Sequence, residues 1–363
     1  SVEKFSDFIS EQKNEQPYHL VALVYDAHNV RDVADNQDKG GDKDEKLIVK
    51  SAKKLNLKYN KADFSGLYST KTSDGRTITT FKVDENGRTI LPDSKDKILP
   101  YDKPFSINPK DTIILPRGLG TIGFTGSRNW FDLIQQFELE GYYVINSNEC
   151  YNICTSKLLT DMYLKNAGVR TPKTYAIPHS EAVEDTVKRL GLKFPVILKS
   201  STGTQTGVGV VVAESMRSLN SLVQMILLYE RYLPLIVQEY IETEYDIRVI
   251  VCNNEVIGAM RRDVIKSDVR SNVSLGADAS EIELTELEVQ ESLKAAKAVK
   301  GILVGVDLIP SKNRETEKPF CIEVNANLGF GGVERVIKSK SITETILKTF
   351  LNRDNWRKQW VQY

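Results

Sequence analysis

The chain reads as an α/β (α+β) protein of more than one domain, and three observations carry that reading. An apolar β run, His19 to Tyr25, is followed by helical spacing of apolar residues at Leu47, Ile48, Ala52 and Leu55. Asp74-Gly75 and Asn86-Gly87 each separate two β-forming runs, and such dipeptides signal hairpins because both central turn residues need positive φ. Beyond residue 195 comes a series of short apolar strands, ending in Leu303 to Ile309 and Phe320 to Asn325. A length of 363 residues supports two or three domains.

In chain order, residues 1–18 are polar and charged and read as a helix or arm without legible function. The run 19–25 opens an α/β domain, and a charged loop leads into the helix near 47–55. A small meander is expected near 66–92. Asp111 to Leu115 resumes the sheet and ends at Pro116-Arg117-Gly118, which puts Arg117 at a strand's carboxyl end, where open α/β sheets place ligands. A functional and a structural role are equally open for it. A helix over about 127–140 and a strand over 143–146 follow. Asn148 is expected to cap a helix running to Ala167 and stopped at Gly168. A helix over 180–191 leads to the strand Pro195 to Lys199. Strands are also expected at 210–212, 235–241, 246–251 and 255–262.

The residues that carry chemistry lie in the second half. Glu323 and Asn325 alternate on one strand, so both side chains leave the same face while Val324 turns inward. An adjacent antiparallel strand would bring Asp307 beside them, giving an all-oxygen set of the kind hard cations such as magnesium prefer. Upstream, Lys199 ends a strand and is followed by Gly203, Thr204, Gln205, Gly207 and Gly209 before the next strand. A hairpin of this composition can approach a triphosphate with its backbone N–H groups, although a glycine-rich structural hairpin would look the same. No Gly-Lys-Ser/Thr follows, so the Walker pattern is absent. Arg261, Arg262 and Arg270 lie within ten residues of one another, and guanidinium is the usual fork for phosphate and carboxylate.

Composition narrows the partners. Lys plus Arg and Asp plus Glu number 49 each, so the basic excess that polyanion binding requires is missing and nucleic acid is not expected. Apolar runs such as Val208 to Ala213 fall far short of the roughly 20 residues that span a bilayer, so no membrane association is expected. No signal-like start is visible. Cys150 and Cys154 lack a second pair or nearby histidines to complete a zinc site, and all four cysteines read as reduced thiols of a cytoplasmic protein.

Taken together, the segments 203–210, Gln238-Glu239-Tyr240-Ile241, Asp246-Ile247-Arg248, Arg270-Ser271-Asn272 and Glu323-Val324-Asn325 resemble the ATP-grasp superfamily. Within it they resemble the RimK-type peptide ligases that add amino acids such as glutamate. The resemblance implies an ATP-grasp fold behind an N-terminal α/β domain, with residues 1–147 in the latter and 148–363 in the former. The ATP-grasp region would divide into a central subdomain over about 148–233 and a C-terminal subdomain over about 234–352, with a tail to 363. It implies that Lys157 and Lys199 contact ATP phosphates, that Gln238, Glu239, Tyr240 and Ile241 border adenine, and that Asp246 approaches the ribose. Arg270, Ser271 and Asn272 would meet the nucleotide and the acyl phosphate, with Arg262 as a further catalytic charge. Asp307, Glu323 and Asn325 would bind two Mg2+ or Mn2+ ions. A small-molecule amino acid, a carboxylate, peptide or protein acceptor, and a homo-oligomer (dimer or tetramer) are the implied partners. The chain departs from the pattern in an extra Thr206, in a polar hairpin at Ser311 to Lys318, and in Val273-Ser274-Leu275-Gly276 where a histidine and arginine are familiar.

The implied chemistry has two steps. A carboxylate attacks the γ-phosphate to give an acyl phosphate and ADP, and an amine then displaces phosphate to form an amide. The competing readings are a non-catalytic ATP-binding regulatory or structural subunit, and an enzyme of the same superfamily that makes a thioester or phosphorylated product.

Overall fold

The computed structural model describes residues 18–24, 40–80, 103–117, 124–202, 210–229, 233–264 and 278–360. The chain divides into two compact units: Ser1–Arg117 with Gln136–Ile145 and Phe350–Tyr363, and Gly118–Gln135 with Asn146–Thr349.

The first unit holds a four-stranded parallel sheet in the order β2-β1-β6-β7. These strands are β1 (His19–Val24), β2 (Lys58–Asp63), β6 (Thr112–Pro116) and β7 (Tyr143–Val144). Leu20 to Leu23 and Ile113 to Leu115 are buried without interruption, as both-faces-covered parallel strands require. Helix α1 (Gly40–Lys54) joins β1 to β2. Between β2 and β6 lies an antiparallel sheet of β3 (Leu67–Lys71), β4 (Arg76–Thr80) and β5 (Phe105–Ile107). The hairpin expected at Asp74-Gly75 is present, with Thr72 N–H donating to the Gly75 carbonyl at 2.9 Å, but neither Asp74 nor Gly75 takes the positive φ that the dipeptide predicts, because the connection spans residues 72–75 between the paired Lys71 and Arg76. Asn86-Gly87 lies outside the described residues. Arg117 donates to Asp44 at 2.7 Å, so an ion pair accounts for at least part of its role.

The second unit carries two antiparallel sheets. The smaller has the order β10-β9-β11-β8, from β8 (Thr174–Ile177), β9 (Val196–Ser200), β10 (Val210–Ala213) and β11 (Leu235–Glu239). The larger has the order β14-β13-β12-β15-β16, from β12 (Tyr245–Cys252), β13 (Glu255–Asp263), β14 (Ala279–Glu281), β15 (Leu303–Ile309) and β16 (Phe320–Asn325). Asn253 and Asn254, both at positive φ, make the tight turn between β12 and β13.

The helix expected from Asn148 to Ala167 is two helices. In chain order the helices after α1 are α2 (Phe124–Leu139), α3 (Asn148–Thr155) and α4 (Lys157–Asn166). The cap of α3 is Ser147, whose side chain accepts from the Cys150 N–H. Ser156 then leaves the helical region at φ −110° and ψ 110° and caps α4 by accepting from Leu159 N–H. Serine competes for backbone hydrogen bonds, which breaks the continuous period and restarts it with Lys157 at the first position.

Helices α5 (Val183–Arg189) and α6 (Met216–Tyr229) precede α7 (Glu286–Ala298), which packs on β15 and β16. Two carboxylates on α7, Glu288 at 1% and Glu291 at 2% exposure, are buried under the segment 311–318. Arg314 reaches Glu288 at 2.7 Å and the Glu283 carbonyl at 2.8 Å, and Lys318 reaches Glu291 at 2.9 Å. Arg170 in turn donates to Ser311 and to the Lys318 carbonyl. Burial alone would raise the Glu291 carboxyl, but Lys318 and Lys294 hold it below its ordinary range.

The centre of the larger sheet supplies a stability test. Ile250 in β12 is fully buried, so Ile250→Ala should cost about 2–5 kcal/mol, read as a shift of the denaturation midpoint with an unchanged slope.

Candidate active site

Strands β15 and β16 place Asp307 directly opposite Glu323. The register shifts between Asp307 and Leu308, and a local irregularity of this kind re-aims the side chains beside it. Val324 is buried at 1% exposure, so Glu323 and Asn325 do leave the opposite face, as the alternation predicts.

Two lysines converge on this pair from other elements. Ser156 and Thr202 form a bridge, Lys157 N–H donates to the Ser201 carbonyl at 2.8 Å, and the Ser156 and Ser201 hydroxyls lie 3.3 Å apart. The start of α4 is thereby fastened to the end of β9, and Lys157 shares one cleft with Lys199, Gln238, Glu323, Asp161 and Cys154. The Lys157 ammonium is 3.9 Å from Glu323, whose side chain is 35% exposed. Lys199 donates to Gln238 Oε1 at 2.8 Å, Gln238 donates to Thr174 Oγ1 at 2.6 Å, and Thr174 donates to the Pro172 carbonyl at 3.0 Å. This relay fixes the lysine's direction. Burial, together with the neighbouring Lys157, lowers the Lys199 pKa to about 8, against the opposing pull of Glu323 and Asp161.

Asp307 sits in a denser setting. Arg248 grips it with two hydrogen bonds, 2.6 Å to Oδ1 and 2.5 Å to Oδ2. Arg262 reaches Oδ2 at 3.1 Å and pairs with Asp246 at 2.6 Å. The strand register explains this, since Arg248 lies opposite Asp307 and Asp246 opposite Arg262. Burial opposes ionisation of Asp307, but the two guanidinium groups win and hold its carboxyl below the ordinary range. Burial alone would lower Arg262, but Asp307 and Asp246 raise it above its ordinary value.

Of the residues singled out in the sequence, Lys157, Lys199, Gln238 and Glu323 share the cleft. Asp307, Asp246 and Arg262 form the buried ion network. Glu239 lies at the end of β11, where its N–H donates to Lys173 and its carboxylate accepts from Lys173 N–H. Tyr240 and Ile241, half-buried, follow it in the segment leading to β12. Arg261 is engaged at the surface by Asp263 and stacks over Tyr245. Gly203, Thr204, Gln205, Gly207, Arg270, Ser271 and Asn272 lie outside the described residues. Sequence reasoning quoted Arg248 without giving it a task and passed over Asp161, which pairs with Lys165 at 2.7 Å and accepts from Thr171 at 2.8 Å. A signal for it existed, because Asp161 stands four residues after Lys157 on one helix and so shares its face.

The donor set suits a nucleotide phosphate and a hard cation. Two ammonium groups and an acceptor-only carboxylate meet in one cleft, and Asn325 Nδ2 and Asn327 Oδ1 are buried with no hydrogen-bond partner among the described residues. Leaving such an atom unsatisfied costs about 1–3 kcal/mol, which a ligand would recover.

The low Lys199 pKa has a consequence of definite sign. An unfolded chain keeps this lysine protonated to its ordinary value of 10.5, whereas the folded one releases the proton near 8. The unfolded state therefore binds more protons between these limits, and stability gains from Lys199 as pH rises through that window. In ligand-free denaturation, the wild-type should become progressively more stable relative to Lys199→Met from pH 8 to 10.5. Parallel pH curves would refute the assignment.

A profile of the RimK-like ATP-grasp domain matches residues 154–349. A probable alpha-L-glutamate ligase of Marinomonas sp. (strain MWYL1) is 32% identical over 242 residues, covering 66% of this chain and 76% of that protein. A probable alpha-L-glutamate ligase of Coxiella burnetii (strain Dugway 5J108-111) is 33% identical over 237 residues, 65% of this chain and 74% of that one. Among solved structures, a RiPP-associated ATP-grasp ligase of Chryseobacterium gregarium, in complex with ADP and a leader and core peptide, superposes with a TM-score of 0.63 at 16% identity. It covers 93% of this chain and 97% of that one. The sheets, the paired Asp307 and Glu323 and these likenesses agree, and the chain belongs to the RimK-like ATP-grasp family of ATP-dependent, ADP-forming carboxylate–amine ligases.

Proposed function

We propose that this ligase adds an amino acid such as glutamate to a peptide, protein or amino-acid acceptor through an acyl phosphate. The observation that carries the reading is the convergence of Lys157, Lys199 and Glu323 in one cleft beside Asp307. The relatives named as glutamate ligases and the neighbour solved with a leader and core peptide support the amino-acid and peptide parts of it. Two ions, Mg2+ or Mn2+, and homo-oligomeric assembly rest on the family resemblance, and a cytoplasmic site of action rests on reading the four cysteines as reduced thiols. The non-catalytic alternative has no observation in its favour.

In this reading Lys157 and Lys199 hold ATP phosphates, and Gln238 with Thr174 keeps Lys199 aimed. Glu239, Tyr240 and Ile241 border the adenine, and the stretch with Gly203, Thr204, Gln205 and Gly207 offers backbone N–H groups to the phosphates. Asp246 is buried against Arg262, so its part is to hold that arginine, and a ribose contact would need that pair to open. Glu323 and Asn325 would hold the metal, joined by Asp307 in exchange for a hydrogen bond from Arg248 or Arg262. The metal, when bound, neutralises charge on the phosphate oxygens. Arg270, with Ser271 and Asn272, is assigned to the acyl phosphate and Arg262 to charge behind it. No nucleophilic side chain is required, since positioning and charge compensation supply the catalysis.

The primary test is incubation with ATP, Mg2+, mixed amino acids and candidate peptides, followed by mass spectrometry. Expected are ADP, phosphate and a product heavier by one amino-acid residue. A phosphorylated or thioester product would overturn the amide assignment. Glu323→Gln nearly preserves volume and should lower turnover at least about a hundredfold with little change in melting temperature. Wild-type turnover at limiting Mg2+ would remove Glu323 from the metal set. Arg270→Ala should lower kcat more than it weakens ATP binding, and Arg270→Lys should recover only part of the loss because it keeps the charge without the fork. Equal losses in kcat and ATP affinity would make Arg270 a general nucleotide contact.

A further inference from the structure

Asn146 opens the longer segment of the second unit, Asn146–Thr349, and is 1% exposed. Its amide is saturated: Nδ2 donates to the carbonyls of Leu303 at 2.6 Å and Ala326 at 2.9 Å, and Oδ1 accepts from the N–H groups of Ile302 and Leu303 at 2.8 Å each. Two donors and two acceptors are all that a carboxamide owns.

The places it joins are informative. The paired ladder between β15 and β16 runs only as far as Gly305 opposite Asn325. Beyond that pair Leu303 still belongs to β15, while Ala326 has left β16. Asn146 therefore closes the open end of the ladder with a side chain where strand-to-strand hydrogen bonds have stopped. Ala326 stands between Asn325 and Asn327, each of which has a buried side-chain atom with no hydrogen-bond partner among the described residues. A carbonyl fixed between them sets the backbone rotation from which both side chains project.

We propose that Asn146 is a positioning residue of the ligase reaction: by holding the Ala326 carbonyl against the start of β15, it aims Asn325 at the metal–nucleotide complex. This rests on the reading of Asn325 as a metal ligand. A simpler task, bracing the fold, would make Asn146 matter for stability without selecting for metal. The contact to Ala326 distinguishes the two, because it acts on the residue adjoining the ligand.

The test is titration of Mn2+ by electron paramagnetic resonance, with protein saturated by a non-hydrolysable ATP analogue, alongside analogue binding in metal-free buffer. Asn146→Ala should weaken Mn2+ about tenfold or more, the loss typical of residues that orient a ligand, while metal-free analogue binding stays unchanged. Asn146→Ser puts one hydroxyl in place of the carboxamide and serves if the alanine variant does not fold. In the Asn325→Ala background the change at Asn146 should add nothing, since it acts through that residue. Additive losses, or an Mn2+ affinity kept in the Asn146 variants and lost in Asn325→Ala, would overturn the positioning role alone. Unchanged Mn2+ affinity in Asn325→Ala would instead remove Asn325 from the metal set and the proposal with it.

Discussion

Four charged side chains cross the interior of the five-stranded sheet as one chain of contacts: Asp246 to Arg262, Arg262 to Asp307, Asp307 to Arg248. Their charges cancel, which is what permits them inside a layer whose neighbours Ile247, Val249 and Val306 are fully buried. Taking charges out of water is costly, and such a network is weak evidence for stability in itself. Its effect is positional. Each fork is bound by its carboxylate, so the guanidinium groups cannot drift, and strands β13, β12 and β15 are locked in a register that a one-residue slip would destroy.

The cleft beside this network is built on a different principle. Lys199 is held through the neutral amide of Gln238 and the hydroxyl of Thr174, with the Glu323 and Asp161 carboxylates acting on its charge from beyond that hydrogen bond. Lys157 gains its place from a helix that restarts at Ser156. The arginines are thus compensated by carboxylates at hydrogen-bond distance, whereas Lys199 is held by a neutral amide and Lys157 meets Glu323 only at 3.9 Å. The two kinds of cation differ in how tightly a carboxylate holds them, which leaves the lysines the easier pair to re-engage.

How much of this was readable depends on distance along the chain. Strands β15 and β16 and the turn at Asn253-Asn254 follow from local rules, since alternation and turn chemistry need only neighbouring residues, while the hairpin at Asp74-Gly75 forms without the positive φ those rules assign to it. The break at Ser156 was missed because a serine inside a helical pattern is neutral until its hydroxyl finds a backbone N–H. The arginine forks on Asp307 depend on which strand lies beside which, and Arg248 is 59 positions away. Asn146 was out of reach of any local rule, with partners 157 and 180 positions downstream. Glu323 was legible as a donor, but Asp307 turned out to be shared with arginines, a distinction that residue type alone does not carry.

The segment from Ser311 to Lys318 is, in sequence, a polar hairpin added to the expected pattern. Its cations, though, are the counterions of Glu288 and Glu291, which helix α7 keeps out of water. Shortening the loop would take Arg314 from Glu288 and leave Glu291 with Lys294 for an ion pair, so the excision would call for compensating changes on helix α7. An insertion of this kind works as an evolutionary ratchet: once the surface beneath it has acquired charges that need it, the intermediates on the way back are worse than either end.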